Sequence, residues 1–166
     1  MQRVLIIGHG NPYRGDDGLG FRAAEQYEAS NRRHATVEVM AVQRLKPEHV
    51  QNVAQSDLVI FLAVGTKGEP GTVCGQEVFP ESRCDGLFTR ELTPCALLGA
   101  SSVIYKRCPQ AYLISVTGDN FGFSSQLSSK VEAALPEVMQ RIDDVLKTVQ
   151  ETPADAPKTM AASVGQ

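Results

Sequence analysis

A single α/β domain is what the sequence predicts: a three-layer sandwich with a twisted, mostly parallel sheet flanked by helices, phosphorylase/hydrolase-like. Three observations carry that prediction. Apolar, β-branched runs alternate with stretches of helical periodicity. The run "DLVIFLAV" is apolar throughout, as a central strand covered on both faces must be. Glycine-rich segments follow the apolar runs, where the carboxyl ends of parallel strands gather ligand loops.

"RVLII", residues 3–7, is the first strand. Leu19, Ala23, Ala24 and Tyr27 then recur at helical spacing and predict a helix reaching about residue 31. "ATVEVMAV", 35–42, is a second strand, and Pro47 in "LKPEHVQNVAQS" opens a short helix. "DLVIFLAV", 57–64, is the third strand, followed by the breaker "GTKGEPGTV" and the edge strand "TVCGQEVF". Residues 80–92 read as irregular surface chain. Thr93 as N-cap and Pro94 as first helical residue start a third helix. "AYLISVTG", 111–118, is another strand, and the last helix runs through "LSSKVEAALPEVMQRIDDVLKTV" with Pro136 as a kink. No repeat or internal boundary appears, so residues 1–150 form one domain and 151–166, rich in proline and small residues, a flexible tail.

The bulk numbers narrow the function classes. A chain of 166 residues buries a real core, and 42% hydrophobic with 21% charged residues is ordinary globular composition. A net charge of −3 without a basic stripe argues against a nucleic-acid partner. The absence of a long apolar run or a leader-like start argues for no membrane and a cytoplasmic location. Cys74, Cys84, Cys95 and Cys108 form no C-x-x-C pair and are expected as free thiols, most of them packed.

The chemistry concentrates in "GHGNPYRGDDGLG", residues 8–20. Gly8 and Gly10 begin a dinucleotide fingerprint, but Tyr13 stands where its third glycine belongs, and Asp16 and Asp17 would repel a phosphate. One aspartate suffices to cap the following helix, and the chain supplies two. A carboxylate pair at this edge suits a cation or proton transfer, making Asp16 and Asp17 the candidate catalytic residues. Asn11 is placed to fix the turn through its side chain.

"VLIIGHGNPYRGDDGLGFRAAE" resembles the N-terminal signature of the hydrogenase maturation proteases, endopeptidases that trim the C-terminus of nickel–iron hydrogenase large subunits. "LKPEHVQNVAQSDLVIF", "FTRELTPCALL" and "PQAYLISVTGDNFGFSSQLSSKVEAALPEVM" are similar to later segments of that family, in order, so the likeness spans most of 3–148. The resemblance implies a sheet flanked by helices and a hydrogenase large-subunit precursor as partner. It implies recognition through nickel that the precursor itself carries, contacted by an acidic residue after the first strand, an Asp after the third and a His at a later helix. Asp17 matches the first position, a shorter carboxylate than the Glu of some members. Leu62 stands where the Asp would be, and Arg90, Glu91 and Cys95 where the His would be. Glu91 as carboxylate or Cys95 as thiolate is then the replacement metal contact beside Asp17.

Asn11 and Arg14 are the expected substrate-binding residues, with Arg14 steering an acidic peptide or pairing with Asp16. His9 is the one histidine placed to join the site, whereas His34 and His49 read as solvated. The alternative reading is a non-catalytic relative that docks a precursor or another partner without cutting it. A peptidyl-tRNA hydrolase shares the G-x-G-N-P opening, yet Asp16, Asp17 and Gly18 replace the His-Asn pair it needs, and the chain is acidic.

Overall fold

The computed structural model describes residues 2–30, 36–81 and 92–151, with side chains up to 149. Strands β1 (Val4–His9), β2 (Val37–Val42), β3 (Leu58–Gly65), β4 (Val73–Val78) and β5 (Gln110–Thr117) form one sheet in the order β2-β1-β3-β5-β4. β1 pairs in parallel with β2 and β3, and β3 in parallel with β5. Only β4, entered through the glycine-rich breaker, is antiparallel. Gly68 and Gly71 of that breaker hold positive φ of 97° and 87°. The β4 edge is the one the sequence predicts, with Val73 and Val78 buried and the residues between them exposed.

Four helices cover the two faces. Helices α1 (Leu19–Ala29) and α4 (Ser129–Glu151) pack on one, with Leu19, Ala23, Tyr27, Val131, Val138 and Ile142 against Ile6, Ile60, Leu62 and Ile114. Helices α2 (His49–Ala54) and α3 (Pro94–Tyr105) pack on the other, with Val50, Val53, Leu97 and Leu98 against Leu5, Ile7, Val59 and Phe61. Alternate residues of β1 and β3 therefore enter opposite cores, which explains their unbroken hydrophobicity. The expected three-layer α/β sandwich is the observed fold.

Thr93 caps α3 as expected: its Oγ1 accepts the Ala96 N–H at 3.1 Å. Helix α2 is shorter than its pattern, because Pro47 belongs to the turn before it, where its carbonyl accepts the Val50 N–H. Pro136 sits on the exposed side of α4, and the helix runs through it. The expected irregular chain at 82–91 and the tail at 152–166 lie outside the described residues.

The direction of winding reverses between β1 and β3. From β1 the chain crosses through α1 to β2, then returns through α2, on the other face, to β3 beyond β1. A crevice opens at the carboxyl ends of the strands where winding reverses in this way. His9 ends β1 there, and the residues after it build the site.

Candidate active site

The site begins with a close approach of helix to sheet. A Cβ on Gly20 would lie 2.1 Å from the Leu62 carbonyl oxygen and 2.5 Å from that of His9. Gly8 is equally tight, 1.9 Å from the Gly20 oxygen. These glycines let the first turn of α1 rest on β1 and β3 without any nucleotide phosphate to explain them. Gly10 turns the chain at φ 147°, and its amide donates to Val42 O at 3.1 Å.

Asn11 fixes the next turn as expected, its Oδ1 accepting the Tyr13 N–H at 2.9 Å. Gly15–Gly18 then makes one 3-10 turn, and Gly18, not an aspartate, occupies the N-cap of α1. Neither Asp16 nor Asp17 caps that helix. Their side chains go different ways.

Asp17 is half-buried, and its Oδ2 accepts the Asn11 N–H at 3.0 Å. Its Oδ1 accepts no hydrogen bond from the described residues. One oxygen is thus fixed by the backbone while the other is left for a ligand, a sound geometry for a monodentate carboxylate. His9 lies within electrostatic reach. Burial pulls the His9 pKa down to about 4, against the opposing pull of the Asp17 charge, so the ring is neutral at pH 7. Its Nε2 is buried without a hydrogen-bond partner.

Asp16 is fully buried, and the structure assigns it a different position from the one expected of a catalytic residue. Its Oδ2 accepts the amides of Asp119 at 2.8 Å and Asn120 at 2.9 Å and the Ser128 hydroxyl at 2.8 Å. Its Oδ1 accepts the Ser128 amide at 2.7 Å. Burial alone would raise its pKa. The amides of Asn120, Ser128 and Asp119 and the Ser128 hydroxyl outweigh that and hold it below the usual carboxylate range.

Arg14 does not pair with Asp16, because the carboxylate faces inward while Arg14 is exposed. Its backbone instead bridges to Ser124. The neighbouring cation with a structural task is Arg22 of α1, whose Nη2 donates to Pro12 O at 3.3 Å and also to Ser125 O. The sequence reading missed Arg22, Asn120 and Ser128. Asn120 and Ser128 follow the β5 run, and nothing local links them to an aspartate a hundred residues earlier.

Of the other residues singled out in the sequence, His34, Cys84, Arg90 and Glu91 lie outside the described residues. Cys95 is half-buried against the α2–α3 core, and burial, with the Glu81 charge beside it, pushes its thiol pKa up. A protonated thiol is a weak ligand. Leu62 is fully buried beside Gly8, one of the core residues of the α1–α4 face. His49 is buried rather than solvated, its Nδ1 accepting the Lys46 N–H at 3.0 Å. Among the described residues, no group of three or more His, Cys, Asp or Glu side chains gathers to hold a metal. Cys74 is exposed and Cys95 and Cys108 half-buried, and none of the three forms a disulfide.

A sheet of this order, with an acidic turn at the end of β1, has close structural counterparts. The chain carries the hydrogenase maturation protease fold. It superposes on the hydrogenase maturating endopeptidase HybD from Escherichia coli with a TM-score of 0.73 at 23% identity, covering 89% of this chain and 93% of that one. The NiFe hydrogenase maturation protease HycI from Thermococcus kodakarensis gives 0.70 at 21% identity, covering 88% and 93%. A hydrogenase 2 maturation peptidase from a Thaumarchaeota archaeon gives 0.67 at 23%, covering 88% and 99%. No family model and no curated protein matches the sequence. The maturation-protease fold thus extends over nearly the whole described chain, while sequence identity is too low to transfer residue roles. No helix among the described residues is long and apolar enough to cross a membrane.

Proposed function

We propose that this chain is an endopeptidase-like protein that receives nickel–iron hydrogenase large-subunit precursors and trims their C-terminus, recognising the nickel the precursor carries. The observation that supports this best is Asp17: a half-buried carboxylate in the loop after β1, one oxygen tied to the Asn11 amide and the other without a partner among the described residues. A single oxygen ligand cannot build a resident metal site. It suits a cation that arrives with most of its ligands already in place and needs one more from the receiving protein. The metal is then part of the substrate, and the contact reports whether the precursor is loaded.

In this reading Asn11 orients Asp17 through its backbone N–H, and Arg14, exposed on the same loop, meets acidic residues of the incoming peptide. Neutral His9 lowers the polarity beside Asp17 and strengthens its attraction for a cation. Glu91, outside the described residues, is the second contact proposed from the resemblance, and the proposed location is the cytoplasm, where the precursor is met.

One observation favours a second reading, docking without cleavage. Leu62 offers no ligand and Cys95 holds its proton, so one of the three contacts implied by the resemblance is lost and one candidate for another is chemically silent. Incubating the purified chain with a nickel-loaded large-subunit precursor, with an active relative in parallel, separates the two. Mass spectrometry should find the shortened product. Stable binding with no shortened product supports docking alone, and neither binding nor cleavage removes both.

A further inference from the structure

We propose that Asp16 is a positioning residue: its buried carboxylate holds the 119–128 segment as one wall of the site that Asp17 opens, and that wall docks the polypeptide of the incoming precursor. The inference rests on the maturation-protease reading of Asp17.

The 119–128 segment has no helix or strand of its own apart from the bridge of Ser124 to Arg14. It is held from outside. Three of its amides and one hydroxyl converge on Asp16, from partners more than a hundred residues away in sequence. Gly15 N–H donates to Ser124 O at 2.9 Å, Ser124 N–H to Tyr13 O at 3.0 Å, and Arg22 reaches Ser125 O. A buried anion satisfied by several donors fixes geometry more sharply than apolar packing does. With no exposed surface, Asp16 cannot itself touch a substrate.

The outer side of the two joined loops is aromatic. Phe123 is 95% exposed, Tyr13 64% and Phe121 37%. A phenylalanine left in water on a backbone tied down by this many hydrogen bonds gains nothing within the monomer, and it is the kind of contact that anchors a partner. Tyr13 stands four residues before Asp17 in the same loop, and its carbonyl accepts the Ser124 N–H at 3.0 Å, so the aromatic rim is tied to the loop that carries Asp17. The precursor chain that brings its cation to Asp17 passes over it.

Steady-state cleavage of the nickel-loaded precursor tests the assignment, with binding constants in place of KM if the wild type only docks. Asp16→Asn keeps the shape of the side chain and turns an NH2 group toward the amides it must accept. It should raise KM by roughly tenfold or more with kcat within about threefold of wild type. A purely scaffolding role lowers the active fraction, hence kcat, and leaves KM alone. Should Asp16→Asn fail to fold, Ser128→Ala and Phe123→Ala decide, each raising KM, and Phe123→Ala at an unchanged Tm. An unmoved KM in those two variants, or a collapse of kcat alone in Asp16→Asn, overturns the proposal. A wild-type chain that neither binds nor cuts the precursor overturns the protease reading and this inference with it, and the wild-type reaction alone shows it.

Discussion

Asp16 and Asp17 are adjacent, chemically identical, and opposite in environment. One accepts four hydrogen bonds in the interior, while the other keeps an oxygen unpaired at a strand end. The difference has a pH signature. A carboxyl whose folded pKa lies below its unfolded value stabilises the fold above the unfolded value, near 3.8, and that contribution disappears as pH falls through the folded pKa. His9 acts in a higher window. Its neutral form is favoured in the fold, so stability is full above pH 6.5 and falls as pH drops toward 4 and the unfolded chain takes up a proton first. Buried His49 adds in the same direction. The His9 share is on the order of 3 kcal/mol. Urea midpoints at pH 7 and pH 4.5 should differ for wild type and differ clearly less for His9→Gln. An equal drop in both proteins would exclude His9 as the source.

Gly20 is one of the two tight points, with Gly8, between helix and sheet around the site. Gly20→Ala puts a methyl within bonding range of two carbonyl oxygens, and the backbone on both sides must move. A loss of about 3 kcal/mol or more follows, at or above the upper end of what core overpacking usually costs. Chemical denaturation measures it, and a loss below 1 kcal/mol would mean that α1 is free to lift from the sheet.

At the scale of elements, each helix and strand is closed by local chemistry that can be removed singly. Thr93 starts α3 through its Oγ1, and Pro94 follows it at the first helical position. Thr93→Ala should cost about 1 kcal/mol, which is about 2–4 °C in Tm for a domain of this size. Thr93→Ser should restore most of it. The same locality makes these elements readable from sequence. Leu19, Ala23, Ala24 and Tyr27 announce α1 by spacing alone, and Gly68 and Gly71 announce the reversal into β4. Where the reading of α2 ran long, the pattern of "LKPEHVQNVA" was shared between a turn stabilised by Pro47 and the helix proper. His49 looked solvated because its sequence neighbours are polar, yet its ring fills a turn and accepts the Lys46 amide.

At the scale of the molecule, the two halves of the sequence meet at one sheet edge. The first loop supplies Asp17, and the 119–128 segment, held by Asp16 and Arg22, closes beside it. The fold was legible because strand and helix periods are short-range signals that a sheet only has to assemble. Asp17 stood out as a candidate because two adjacent carboxylates after a strand exceed what a cap requires. The division of labour between the pair was not legible, since it is decided by Ser128 and Asn120, whose approach depends on the sheet order β3-β5. Leu62 cannot ligate a metal, as its side chain alone tells, and its burial beside Gly8 follows from the register of β1 and β3.

Asp17 can be tested without disturbing that assembly, because among the described residues its side chain holds only the Asn11 amide. The direct measurement is mass spectrometry of a nickel-loaded precursor after incubation with wild type and with Asp17→Ala, both checked for the same Tm within a few degrees. The account predicts a shortened large subunit from wild type and none from Asp17→Ala. A variant that releases the C-terminal peptide at the wild-type rate would contradict it, because the unpaired oxygen at the end of β1 would then have no part in receiving the substrate.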